Sequence, residues 1–210
     1  MKYLIFICMV FLFLTHALSI RAEQPKWSVA LKGGYAFPET DGWEDNYGDD
    51  GFWTLGAEIG WKINRRLELN ASISYGDDSG KALTPSGKES VDDLDFEHLP
   101  IHISVLYRFI SDEDQFIVPF LGGGYTHLFY KLEFVDDDRS GDQFGYHVRG
   151  GFQILLDRLE PEKADDISDK VGIHNSYLFF EGIYSNVDDF GSEDIDLGGW
   201  TVFIGLLLEF

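Results

Sequence analysis

Eight times along this chain, a segment of strand length carries apolar side chains at every second position. Period two is the pattern of a β-strand whose two faces meet different surroundings. In the last segment Trp200, Val202, Ile204, Leu206, Leu208 and Phe210 are apolar at every second position. The alternation predicts strands over 26–37, 52–64, 66–76, 96–110, 116–134, 143–156, 176–186 and 198–210. Most of these are ~10 to 14 residues long, enough for a tilted strand to cross a bilayer. Beyond residue 19 no run of 18 apolar residues occurs, so no membrane-spanning helix is expected.

The connections alternate between short and long. Residues 64–65 and 111–115 are short turns, whereas 38–51, 77–95, 135–142 and 187–197 read as longer loops. Short turns on one side and long loops on the other is the asymmetry of outer-membrane barrels. The expected fold is therefore all-β, an eight-stranded antiparallel up-and-down transmembrane β-barrel with both termini on the periplasmic side. One connection departs from the pattern. Residues 157–173 fall where a short periplasmic turn belongs, yet they are long and charged. Pro161 could open a short helix there. A longer turn beneath the barrel and a small periplasmic plug both fit.

Residues 1–19 read as a secretory signal. Lys2 precedes an apolar stretch from Tyr3 to Leu14, and Ala17-Leu18-Ser19 offers small residues for cleavage after Ser19, with Ala22 as a second option. Residues 20–210 then form the barrel domain, secreted through the inner membrane and inserted in the outer one. The one cysteine, Cys8, lies within the signal. The mature chain thus has no disulfide, thiolate metal site or cysteine nucleophile. A formal charge of -21 argues against nucleic acid as a partner. Aromatic residues make up 16% of the chain, which is reconciled with that acidity if aromatics face lipid and acids crowd the loops.

Alternation also sorts the faces. The apolar set, including Leu31, Trp53, Leu55, Ile103, Leu128, Tyr130, Leu132, Phe152 and Phe180, suits hydrocarbon. Aromatics near the strand ends suit interfacial girdles, with Trp61, Phe109, Phe116 and Phe210 on the periplasmic side. The opposite set includes Lys32, Glu58, Lys62, His98, Arg108, His127, Arg149 and Glu181. A Lys or Arg facing the bilayer midplane is disfavoured by ~2 to 4 kcal/mol, so these side chains are expected to form a lumen network. Eight strands leave an interior that side chains fill, so the lumen is expected to be packed and polar rather than open. A soluble lipid-binding barrel with the faces exchanged also fits the alternation, but not the signal, the girdles or the loop asymmetry.

Gly205-x-x-Leu208-x-Phe210 resembles the C-terminal signal read by the barrel-assembly machinery, with Phe203 standing at its usually polar upstream position. The runs 99–109, 118–125 and 144–152 resemble the fourth, fifth and sixth strands of small eight-stranded barrels. Together they resemble the outer-membrane β-barrel superfamily that includes the OmpX-, OmpW- and OmpA-type barrels. The resemblance covers the whole mature chain as architecture. It implies insertion by the assembly machinery, with Gly205, Leu208 and Phe210 as the assembly signal, and contact with outer-membrane lipid and lipopolysaccharide.

Candidate chemistry is sparse. Asp136-x-Asp138-x-Ser140-Gly141-Asp142 matches the first half of a calcium loop, but position twelve is His147 rather than a bidentate acid. Asp136, Asp138 and Asp142 therefore remain weak candidates for a divalent cation, which could bridge lipopolysaccharide, and a solvated acidic loop accounts for them equally. His98 and His102 share a face but stand ~13 Å apart along the strand, too far for one metal. Folding the fourth strand onto the fifth would set His98 opposite His127. Some barrels of this superfamily modify lipid A with His and Ser, and His102-x-Ser104 bears that comparison. Both face the lumen by parity and no acid is placed to complete a site, so no enzyme and no cofactor is expected. The expected function is a structural or surface-interaction role. The alternatives are a narrow channel for small ions or small hydrophobic molecules, and a lipid A-modifying enzyme.

Overall fold

The computed structural model describes residues 25–40, 43–48, 50–83, 89–112, 115–133, 138–159, 171–188 and 197–210. Strands β1 (Trp27–Pro38), β2 (Phe52–Lys62), β3 (Leu67–Leu83), β4 (Glu89–Arg108), β5 (Ile117–Glu133), β6 (Asp138–Leu155), β7 (Asn175–Asn186) and β8 (Gly199–Glu209) form the wall, and a short helix, α1 (Trp43–Tyr47), lies between β1 and β2. Each strand pairs antiparallel with the next, and β8 closes on β1 from Ser28↔Glu209 to Pro38↔Gly199. The fold is thus the expected closed eight-stranded barrel.

Local chemistry sets the tight turns. Between β2 and β3, the Asn64 side-chain oxygen accepts from the backbone N–H groups of Arg66 (2.8 Å) and Leu67 (3.0 Å). Between β4 and β5, Gln115 accepts from the Ser111 N–H and donates to the carbonyls of Phe109 and Ile117. At the opposite end the sheet runs further than its apolar pattern. β3 and β4 stay paired through Asp77↔Glu97, Ser79↔Asp95 and Lys81↔Asp93. Likewise β6 begins at Asp138, paired with Glu133. Residues expected in the loops 77–95 and 135–142 therefore extend two ribbons. Backbone pairing needs no apolar face once a ribbon leaves the membrane, so the alternation ends before the strand does.

The exterior is apolar and the interior charged. Trp53 is 77% exposed and Leu55 63%, whereas Glu68 and Glu209 are 2% exposed. Apolar side chains outside and charges inside exclude the inverted, soluble alternative.

Strand β5 corrects the expected faces. Val118, Phe120, Thr126 and Leu128 point inward, while Leu121, Tyr125 and Phe129 point outward. His127 and Lys131 share the outward parity, so His127 is not a lumen residue. Leu128, Tyr130 and Leu132 correspondingly leave the lipid face. The cause lies in Gly122-Gly123-Gly124, which carries no side chain to report parity, followed by a stretch apolar on both faces. Inward, Gly124 is required by space: a Cβ there would stand 1.9 Å from the Ile103 carbonyl oxygen. Phe210 also departs from its expected place in the periplasmic girdle, being buried at 8% exposure.

Candidate functional site in the barrel lumen

The lumen is filled in layers. Its centre is a charge cluster drawn from five strands. Lys32 of β1 bonds Glu58 of β2 (3.1 Å) and Glu181 of β7 (2.9 Å). Arg149 of β6 reaches the same two carboxylates, donating to Glu58 at 2.6 Å and making a close ion pair with Glu181. Asn70 of β3 joins them, accepting from Arg149 and donating to Glu58, each at 2.8 Å. The Lys32 ammonium also sits 4.5 Å from the centre of the Phe203 ring of β8. Two cations thus face two anions, all four side chains almost wholly buried. Separate charges could not remain ionised in this interior; paired and hydrogen-bonded, they can.

Beneath this cluster, toward the short turns, Glu209 accepts from Arg108 (2.7 Å) and Asn175 (2.8 Å) and forms a close ion pair with Lys62. Glu68 accepts from Ser28 at 2.8 Å. Gly60 makes room for that bond, since a Cβ there would overlap both partners. Around the lower wall, Val118, Leu155, Tyr177, Phe179 and Leu207 form an apolar cluster.

Above the charge cluster lies a histidine and hydroxyl layer. His147 meets Ser104 through Nε2 (2.7 Å) and Thr126 through Nδ1 (2.9 Å). His102 meets Ser185 at 3.3 Å, and the His102 and His147 rings stand edge to face with centroids 4.6 Å apart. Ser104 therefore pairs with His147, not with its sequence neighbour His102. All three members of the Ser104–His147–Thr126 chain are buried, and the third is a hydroxyl where an acid would orient a base.

The extracellular end is aromatic rather than polar, a correction to the uniformly polar lumen. Phe52, Phe96 and Trp43 of α1 pack together, with Tyr47 stacked on Trp43 at 4.2 Å. His98 lies beside Phe52 at 5.3 Å. Burial raises the Tyr47 hydroxyl pKa above its ordinary value, with Asp78 and Asp95 adding to the shift. A crevice of about 30 Å³ runs from the rim beneath this cluster, between Trp43, Phe52, Phe96, His98 and His102.

Of the expected lumen residues, the structure joins Lys32, Glu58, Arg149 and Glu181 in one network and Lys62 with Arg108 in another. His98 belongs to the aromatic cap. His127 is on the outer wall, where Nε2 meets Asp142 at 2.9 Å between the rings of Phe129 and Phe144. In register His98 pairs with Tyr130, and His127 with Ile101, so the expected histidine pair does not exist. Asn70, Glu68 and Glu209 complete the networks; inward parity marks them, but nothing in their spacing does. Trp43 lay in a predicted loop and carried no periodic signal.

Asp136 lies outside the described residues, and Asp142 is taken up by His127. Among the described residues no group of three or more His, Cys, Asp or Glu is arranged to hold a metal. Most of the 157–173 connection, and all of residues 1–19, also lie outside them. At the closing strand, Gly205 faces inward, where a Cβ would meet the Leu31 carbonyl oxygen at 2.4 Å and the Phe179 ring at 2.7 Å. The Phe210 carbonyl accepts from the backbone N–H groups of Lys26 and Trp27.

A closed eight-stranded wall, apolar outside and charged within, defines an outer-membrane β-barrel. Residues 5–160 match the model of the outer membrane protein beta-barrel domain, and the chain belongs to that family. No curated protein matches it in sequence. Its fold is similar to that of Ail, the attachment invasion locus protein of Yersinia pestis, at 15% identity and a TM-score of 0.54, covering 90% of this chain and 100% of that one. It is likewise similar to Neisserial surface protein A at 15% identity and a TM-score of 0.57, with the same coverage. The protein is therefore located in the outer membrane.

Proposed function

We propose that this protein is a non-conducting, non-enzymatic outer-membrane barrel that acts through its extracellular surface. The filled lumen carries this proposal: the charge cluster spans the interior and an aromatic cluster stands above it. A barrel filled in this way offers its loops and rim for contact. The loops, and the ribbon that extends β3 and β4, are acidic, at Glu44, Asp45, Asp92, Asp93, Asp188 and Asp189 among others. Their partners would be outer-membrane lipid and lipopolysaccharide, with divalent cations bridging like charges. The name of the similarly folded Ail describes attachment, and one of its structures holds the heparin analogue sucrose octasulfate. On the same proposal, residues 1–19 are removed during export, and Gly205, Leu208 and Phe210 serve insertion by the assembly machinery.

Planar-bilayer recording tests the central claim. Purified folded protein is expected to give no stepwise current; regular steps would favour the channel alternative, with the ion-pair cluster as its gate. Unaltered lipid A in cells expressing the protein is expected, and a changed acylation pattern would establish the enzyme alternative.

A further inference from the structure

The histidine layer is titratable, buried and held by hydroxyls alone. His147 lies between Ser104 and Thr126, His102 bonds Ser185, and the two rings stand 4.6 Å apart, edge to face. Among the described residues no carboxylate hydrogen-bonds either imidazole. The buried cations beneath are treated differently, since Lys32 and Arg149 each meet two carboxylates.

The groups facing the layer come from every side. Lys32 of β1 and Arg149 of β6 act electrostatically on both imidazoles, and His98 of β4 acts on His102. Glu58 of β2 and Glu181 of β7 are engaged by those same two cations. On the inner face of β7, Ile183, 1% exposed, separates Glu181 from Ser185. At this height β3, β5 and β8 present Ser72, Thr126 and Phe203, none of them charged. Glu68 and Glu209 lie lower, with Lys62 and Arg108. At neutral pH two cations therefore face two anions; protonating both imidazoles would set four cations against the same two.

The crevice beneath the aromatic cluster reaches His102, Thr126 and Ser185 from the extracellular rim, and so gives protons a way in. A hydroxyl accepts as readily as it donates, so turning Ser104, Thr126 and Ser185 keeps a protonated imidazole hydrogen-bonded. Countercharge is what the layer lacks, and a buried charge without it is costly. We propose that His102 and His147 form an acid-sensitive layer that keeps the upper lumen packed at neutral pH and loosens it when protons arrive from the extracellular side. In the loosened state both rings reach water, where histidine titrates at about pH 6.5. The packed state is therefore favoured at neutral pH and loses that advantage as the pH falls below this value. The layer stands apart from the extracellular surface and does not depend on the role proposed for it.

Urea unfolding of the barrel in zwitterionic vesicles, at about pH 7.5 and about pH 4.5, tests the layer against the double variant H102Q/H147Q. Glutamine hydrogen-bonds and does not titrate, while the carboxylates titrate alike in both proteins, so the comparison isolates the two imidazoles. Acid is expected to shift the unfolding equilibrium of the unaltered protein at least about tenfold further than that of the variant. Equal shifts would overturn the proposal. Amide hydrogen exchange in the unaltered protein gives a local readout and decides the matter if the variant does not fold. Protection of the Thr126, His147 and Ser185 amides is expected to fall at least about tenfold over the same range, while that of Lys62 and Arg108 in the lower layer holds. Protection that falls equally in both layers, or in neither, would overturn the proposal.

Discussion

Two acid–base contacts on neighbouring strands show how differently the barrel treats similar chemistry. Arg149 and Glu181 meet inside the wall, each almost wholly buried. His127 and Asp142 meet outside it, with the side chains 26% and 49% exposed. The inner pair is locked to Lys32, Glu58 and Asn70, and removing any one of the four charged members strands a charge away from water. The outer pair has water and lipid headgroups for company and can part at little loss. A charged residue in a strand therefore does not announce its face. Inside it is held by a network; outside it is tolerated near the interface, where the penalty for charge fades.

Breaking the inner pair should have the largest effect. Arg149→Met leaves Lys32 facing two carboxylates, and urea unfolding in vesicles is expected to show a loss of about 3 to 5 kcal/mol. Removing the opposing acid as well tests whether charge balance is the cause. The double variant R149M/E181M retains the Lys32–Glu58 pair and is expected to regain most of that loss; no recovery would mean that shape, not charge, holds the layer. Leu128→Ala sharpens the assignment of β5. Directed inward at 1% exposure, Leu128 should lose about 2 to 4 kcal/mol on truncation. A change near zero would return it to the lipid face. Asp142→Asn should have the smallest effect, below about 1 kcal/mol by the same unfolding measurement, as for an exposed pair.

The contrast between β8 and β5 explains what could be read from the residues. In β8 the outward positions Val202, Ile204 and Leu206 are aliphatic, and although Phe203 and Leu207 face inward, Thr201 and Glu209 at the same parity mark the interior. In β5 the inward positions Val118, Phe120 and Leu128 are as apolar as the outward ones, because they pack into apolar parts of the lumen. A pattern reports faces only where the faces differ. The mid-lumen charges were legible for the same reason: Lys32, Glu58, Arg149 and Glu181 interrupt apolar strands at one parity. Which of them touch was not legible, since partners such as Lys32 and Glu181 stand 149 positions apart in the chain.

Sequence alone determined that the chain makes eight strands with one lipid-facing side, and hence an outer-membrane barrel, because period-two alternation is a local consequence of strand geometry. The tertiary structure decided what fills that barrel. Closure of β8 on β1 and the register of each pair bring Ser104 to His147, direct His127 outward and seat Trp43 over the extracellular mouth. Each of these depends on the relative height of strands distant in the chain. That height is set by the packing of all eight together, and no single strand carries it.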